Sequence, residues 1–177
     1  MGLFKKKKES NVTIIKIKGY DSDKEAPSLE KLKERSNELY NLIMNGHRDE
    51  VNEVESRFLV YGVDCIDWIN ETFNLKIDLK EDNIRYLDKY LAIIKEGYDK
   101  KQIDDKMTYG YLSGIVGIFG IIASHYKNAS WINEKRDDMG YKMKINDTIY
   151  LVENMAMKVF NGEEESSLEA IYFSMPY

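Results

Sequence analysis

Two histidines (His47 and His125), one cysteine (Cys65) and an abundance of carboxylates are the groups in this chain that could do covalent, acid–base or metal chemistry. Metal sites take His, Cys or carboxylate ligands at helical or short-loop spacing, and neither histidine has such a set beside it. His47-Arg48-Asp49 has the order of a kinase catalytic loop, but no glycine-rich loop, strand lysine or magnesium motif accompanies it. Asp49 reads as a helix cap instead. Cys65 falls on an apolar helical stripe, where a thiol behaves as a small inert hydrophobe. A Cys65–His125 nucleophilic pair is formally open, with nothing in the spacing to favour it. Asp64, Asp67 and Glu71 occupy neighbouring turns of one helix, a pattern typical of solvated surface. The sequence therefore supports no catalytic residue, no metal and no cofactor. What it offers is recognition. Trp131, the pair Asp137-Asp138 and the run Glu163-Glu164-Glu165 mark a surface for another protein, because Trp is enriched at binding hot spots and an acidic face steers a basic partner.

Charge supports the same expectation. The net charge is −5, and setting aside Lys5 to Lys8 with Glu9 leaves −8 on the rest. From Asn128 to Tyr177 nine acids face five bases. An acidic body repels phosphate backbones, so nucleic acid is not the expected partner. The lone cysteine suits a reducing compartment, and MGLFKKKK lacks the apolar run of a secretory signal. The expected location is cytoplasmic. Richness in Lys, Ile and Asn points to an AT-rich bacterial genome.

Elements must position these groups, and their order is legible. Residues 1 to 27 form a basic tail with a short strand at Val12 to Lys18, followed by a linker ending at Pro27. This tail could also rest on a membrane surface through Leu3, Phe4 and its lysines. Residues 28 to 177 form one domain. Ser28 caps a first helix with Leu29, Leu32, Leu39, Leu42 and Ile43 on one face, stopped at Gly46. Asp49 caps a second helix, whose stripe runs through Val51, Val54, Phe58, Tyr61, Cys65, Trp68 and Ile69. Asp78 and Glu81 have capping-box spacing before a third helix through Leu87, Tyr90, Leu91, Ile94 and Tyr98. A fourth spans about Asp104 to Tyr126, with Asn128 as its C-cap. The period then shortens. Ser130 to Glu134 and Tyr141 to Ile145 alternate as hairpin arms around Asp137 to Gly140, and Thr148 to Leu151 adds a third strand. Two helices close the chain, one from about Glu153 to Phe160 and one from about Glu164 to Phe173, with Glu163 to Glu165 at the positive end of its dipole.

Met107 to Tyr126 is uncharged and carries glycines at 110, 114, 117 and 120. Twenty such residues could cross a ~30 Å hydrocarbon layer, and Gly110-x-x-x-Gly114 is the spacing of membrane helix pairs. Against this, Thr108, Tyr109, Tyr111, Ser113, Ser124 and His125 confine the apolar centre to Leu112–Ala123, a length suited to a core helix. Each glycine costs roughly 0.8–1.0 kcal/mol of helix propensity relative to Ala, a cost that close helix approach would explain. The expectation is an α+β, mostly helical fold. Its four N-terminal helices centre on the buried Gly-rich one, followed by a small antiparallel sheet and two C-terminal helices.

Gly110, Tyr111, Leu112, Ser113, Gly114, Ser130-Trp131, Asn161-Gly162 and Glu163 to Ser167 together resemble a pattern shared by several bacterial α+β families. Some of these are similar to immunity proteins of toxin systems, which bind and block a cognate toxin. The resemblance covers about Tyr109 to Phe173. It implies a non-enzymatic, antitoxin-like protein whose partner is a basic toxin or effector. Two rivals stand beside it: a membrane-associated protein, and a hydrolase with a carboxylate site that the sequence does not reveal.

Overall fold

The computed structural model describes residues 24–73, 77–163 and 167–177. The strand expected at Val12 to Lys18 and the acids Glu164 and Glu165 lie outside the described residues. Among the described residues there are six α-helices and one three-stranded antiparallel sheet, an α+β fold dominated by helix. The helices are α1 (Leu29–Met44), α2 (Glu53–Phe73), α3 (Ile84–Asp99), α4 (Asp105–Lys127), α5 (Val152–Phe160) and α6 (Leu168–Ser174). The strands are β1 (Ser130–Trp131), β2 (Met143–Ile145) and β3 (Thr148–Tyr150).

α4 is the centre. Every residue from Leu112 to Ala123 is buried, and the helix is covered by its own chain. It is long and apolar enough to cross a membrane by length and composition, with 72% of its most apolar window inside the protein. Asp104 caps its start by accepting from the Met107 N–H at 2.8 Å. Asn128 ends it in the left-handed region (φ 55°), donating its N–H to the Ala123 carbonyl.

The glycines set how closely α2 and α4 approach. A Cβ on Gly117 would lie 2.3 Å from the Phe58 carbonyl oxygen and 2.6 Å from the Gly62 nitrogen, so the two backbones meet where neither helix has a side chain. At Gly114 the filler is Cys65, whose Cβ would stand 2.4 Å from an added one. Gly120 leaves room for the Trp131 indole, 2.6 Å from where a Cβ would be. Gly110 meets nothing within 4 Å, so close packing does not account for it.

α1 packs on α2, α2 and α3 both lie against α4, and α5 and α6 rest on α3. The sheet is short. Ser130 pairs with Lys144 and Trp131 with Met143, while Met143 to Ile145 pair with Tyr150 to Thr148. The first arm stops after Trp131 because the chain then opens into an exposed loop closed by the Asp137–Gly140 bridge.

Three expected boundaries move, each for a physical reason. Asp49 lies in a short 3-10 turn, and Asn52 caps α2 by accepting from the Glu55 N–H at 3.0 Å. Asp78 and Glu81 form no reciprocal box. Asp78 accepts from the Lys80 N–H and the Asn83 amide, whereas Glu81 is buried and turned toward Tyr172. α3 therefore starts at Ile84. α6 begins only at Leu168, capped by its own Ser167 and by Asp88 of α3, so Glu163 precedes the helix.

Candidate binding surfaces

The groups that sequence singled out for chemistry are dispersed. Cys65 is buried against Gly114, and burial pushes its thiol up to about 12, which removes the thiolate needed for nucleophilic attack. His125 sits eleven residues further along α4, roughly 16 Å by helical rise, with Nε2 2.8 Å from the Glu25 carbonyl oxygen. The Cys65–His125 pair does not exist. His47 meets Glu50 through Nδ1 at 2.8 Å, an exposed local contact. Asp67 is taken by Lys33 at 2.6 Å, while Asp64 and Glu71 are exposed. Among the described residues no group of three or more His, Cys, Asp or Glu converges as a metal site would require.

The expected contact surface is also rearranged. Trp131 is a core residue, only 5% exposed, stacked on Phe58 with centroids 4.3 Å apart and seated over Gly120. It cannot be the aromatic anchor of an interface, because its faces are already covered. Asp137 is paired with Lys142, which holds its carboxyl below the usual range. Asp138 is exposed. Glu163 is exposed and stands 3.8 Å from Lys158. Asp138 and Glu163 are thus exposed acids, each with a neighbouring ion pair, Asp137–Lys142 beside the first and Lys158 beside the second.

On α3 an exposed isoleucine stands beside half-buried tyrosines. Ile93 is 43% exposed and lines two grooves at once. One, of about 430 Å³, runs between Ile77, Tyr86, Tyr90 and the α4 residues Ile118 and Ile122. The other, of about 410 Å³, is walled by Trp68 and Tyr111, whose rings stack 4.1 Å apart. Tyr86 is held by cations, with Lys89 4.9 Å and Arg85 5.1 Å from its ring centroid. The helical spacing of Tyr86, Tyr90 and Ile93 puts them on one flank of α3, while Leu87, Leu91 and Ile94 enter the core. The amphipathic pattern of α3 was visible in sequence. That Ile93 would face outward beside two grooves depended on how α2 and α4 flank it.

A buried polar cluster was not anticipated. Lys127, at the end of α4, has a fully buried side chain, with Nζ 3.9 Å from Glu81 and donating to the Met175 carbonyl at 3.3 Å. Its ammonium lies over the rings of Tyr172 and Tyr177. Glu81 Oε1 accepts from both hydroxyls, at 2.7 Å from Tyr172 and 3.2 Å from Tyr177. Burial lowers Lys127 to about 8 against the pull of Glu81, and burial followed by the Glu81 hydrogen bond raises Tyr172. The cluster ties α6 and Tyr177 to the α3–α4 layer.

Near the start of α2 a fourth feature combines charge and enclosure. Glu153 of α5 is buried, accepts the Tyr141 N–H at 2.7 Å and meets Arg136 Nε at 3.2 Å through both oxygens. Gly140, at φ +77°, leaves the space that this carboxylate fills, 2.6 Å from where a Cβ would be. Arg57 donates to the Tyr141 hydroxyl and lies over its ring at 5.4 Å. Both arginines border a pocket of about 450 Å³.

Comparison with known proteins returns no matching family model, no similar curated protein and no similar solved structure.

Proposed function

We propose that the chain is a non-enzymatic protein-binding module, and that its partner is a basic protein of the toxin or effector kind. The observation that carries this reading is the α3 surface: an exposed isoleucine between two aromatic-walled grooves, the form of site that accepts apolar anchors from a partner segment. Charge selects the partner. Residues 24–177 hold 28 acids against 20 bases, a balance of −8 that attracts cationic proteins and raises encounter rates. In this reading the grooves supply residence time and the acidic body supplies steering. The likeness of the second half to immunity proteins motivates the choice of a toxin-like partner. Blocking such a partner needs only coverage of its working surface.

The test is capture with the full tagged chain, followed by titration of the retained protein against wild-type, Ile93→Asp and Asp138→Lys chains. The proposal expects a net-positive partner bound by the wild type, weakened about tenfold or more by Ile93→Asp at unchanged melting temperature. Retention of no cationic protein, or undiminished binding by Ile93→Asp, would refute it.

A further inference from the structure

The pocket between the start of α2 and the hairpin runs against the acidic field of the molecule. Arg48, Arg57, Lys135 and Arg136 line it, four cations in a body whose net charge is −8. Two of them are held in place. Buried Glu153 engages Nε of Arg136 through both carboxylate oxygens. Tyr141 fixes Arg57 through its hydroxyl and its ring face. An arginine anchored this way loses little side-chain freedom when a ligand arrives, so its hydrogen bonds carry more affinity. Lys135 is exposed and has no ion-pair partner among the described residues.

Three carboxylates share the same pocket: Asp49, Glu53 and Glu134. Glu53 stands 4.0 Å from Arg48, too far for a tight pair. A polyphosphate would meet repulsion from these acids. A ligand with one phosphate and several hydroxyl groups would satisfy both sets, since guanidinium groups take phosphate oxygens and carboxylates accept from hydroxyls. A volume of about 450 Å³ lies within the range of small-molecule sites.

We infer that this pocket binds a small phosphate ester rich in hydroxyl groups, a sugar phosphate in chemical class, with Arg57 and Arg136 as phosphate ligands. Glu153 is a positioning residue that orients Arg136. The site is separate from the α3 grooves and does not depend on them.

Ribose 5-phosphate serves as the probe, titrated calorimetrically into the full chain, with ribose and inorganic phosphate as part-probes. Saturable binding of ribose 5-phosphate is expected, weaker binding of inorganic phosphate and none of ribose. Arg57→Gln should weaken binding about tenfold, the size of one lost charged hydrogen bond. Lys135→Gln, which removes an unpaired exposed side chain, should weaken binding with the melting temperature unchanged. Lys158→Gln, at a half-buried base of α5 outside the pocket, should bind as the wild type does. Absence of saturable ribose 5-phosphate binding overturns the inference, as does equal affinity in the wild type, Arg57→Gln and Lys135→Gln.

Discussion

Gly117 shows how one missing methyl group places a helix. Its Cα faces Gly62, and the added Cβ of an alanine would meet backbone atoms at 2.3 to 2.8 Å that have no rotamer to escape into. Gly117→Ala should therefore lower stability by about 3 kcal/mol despite the better helix propensity of alanine, read as a reduced midpoint in urea. Lys127 sets a second expectation at this scale. Its pKa of about 8 lies below its unfolded value, so the folded state gives up that proton first as pH rises. Stability contributed through Lys127 should increase from about pH 8 toward its unfolded pKa near 10.4. Tyr172 opposes this at higher pH, because its raised pKa makes the folded state keep a proton that the unfolded chain releases above about pH 10. Melting temperature should thus climb from pH 7.5 to about 9.5 and then fall, and Lys127→Met should lose the climb. A flat profile in the wild type would contradict the account of Lys127.

Between elements, the sharpest coupling is a cap supplied from outside the helix it caps. Asp88 of α3 accepts from the Ser167 hydroxyl at 2.7 Å, from the Leu168 N–H at 2.8 Å and from the Glu169 N–H at 3.3 Å. A single carboxylate thus satisfies the first two free N–H donors of a seven-residue helix too short to persist unaided, and Ser167 takes the next two. Asp88→Ala should cost about 1–2 kcal/mol and speed hydrogen exchange at the Leu168 and Glu169 amides before those of α4. Equal protection at both places would mean that α6 is held by Leu168 and Tyr172 packing alone. The same dependence explains why the last helix was placed too early from sequence. Three glutamates before an apolar run satisfy the dipole rule for a first turn, yet the capping groups stand at Ser167 and on another helix. Asp78 and Glu81 misled for a related reason: correct spacing for a reciprocal cap, but Glu81 is drawn away by two tyrosine hydroxyls 91 and 96 residues later in the chain.

For the whole molecule, charge and apolar surface divide the proposed work of binding. If the acidic body steers a cationic partner, raising salt should slow association strongly and leave dissociation nearly unchanged, while Ile93→Asp should do the reverse. Stopped-flow traces of the pair at low and high ionic strength would separate the two effects. Salt-independent association would remove the steering half of the proposal. What the amino-acid order determined unaided was local and periodic: the helical stripes of α1 to α4, the hairpin signal, the Asn128 cap, the buried centre of α4 and the α+β class. These depend on spacings of two to four residues, which adjacent positions reveal. Three-dimensional packing alone decided that Trp131 closes the core over Gly120, that Lys127 is drawn into an α3–α6 cluster, and that Arg57 and Arg136 border one pocket. Each depends on side chains distant in the chain, Phe58 under Trp131, Glu81 and Tyr172 around Lys127, Tyr141 against Arg57, and local spacing can signal a close helix approach but not which distant partner will be met there.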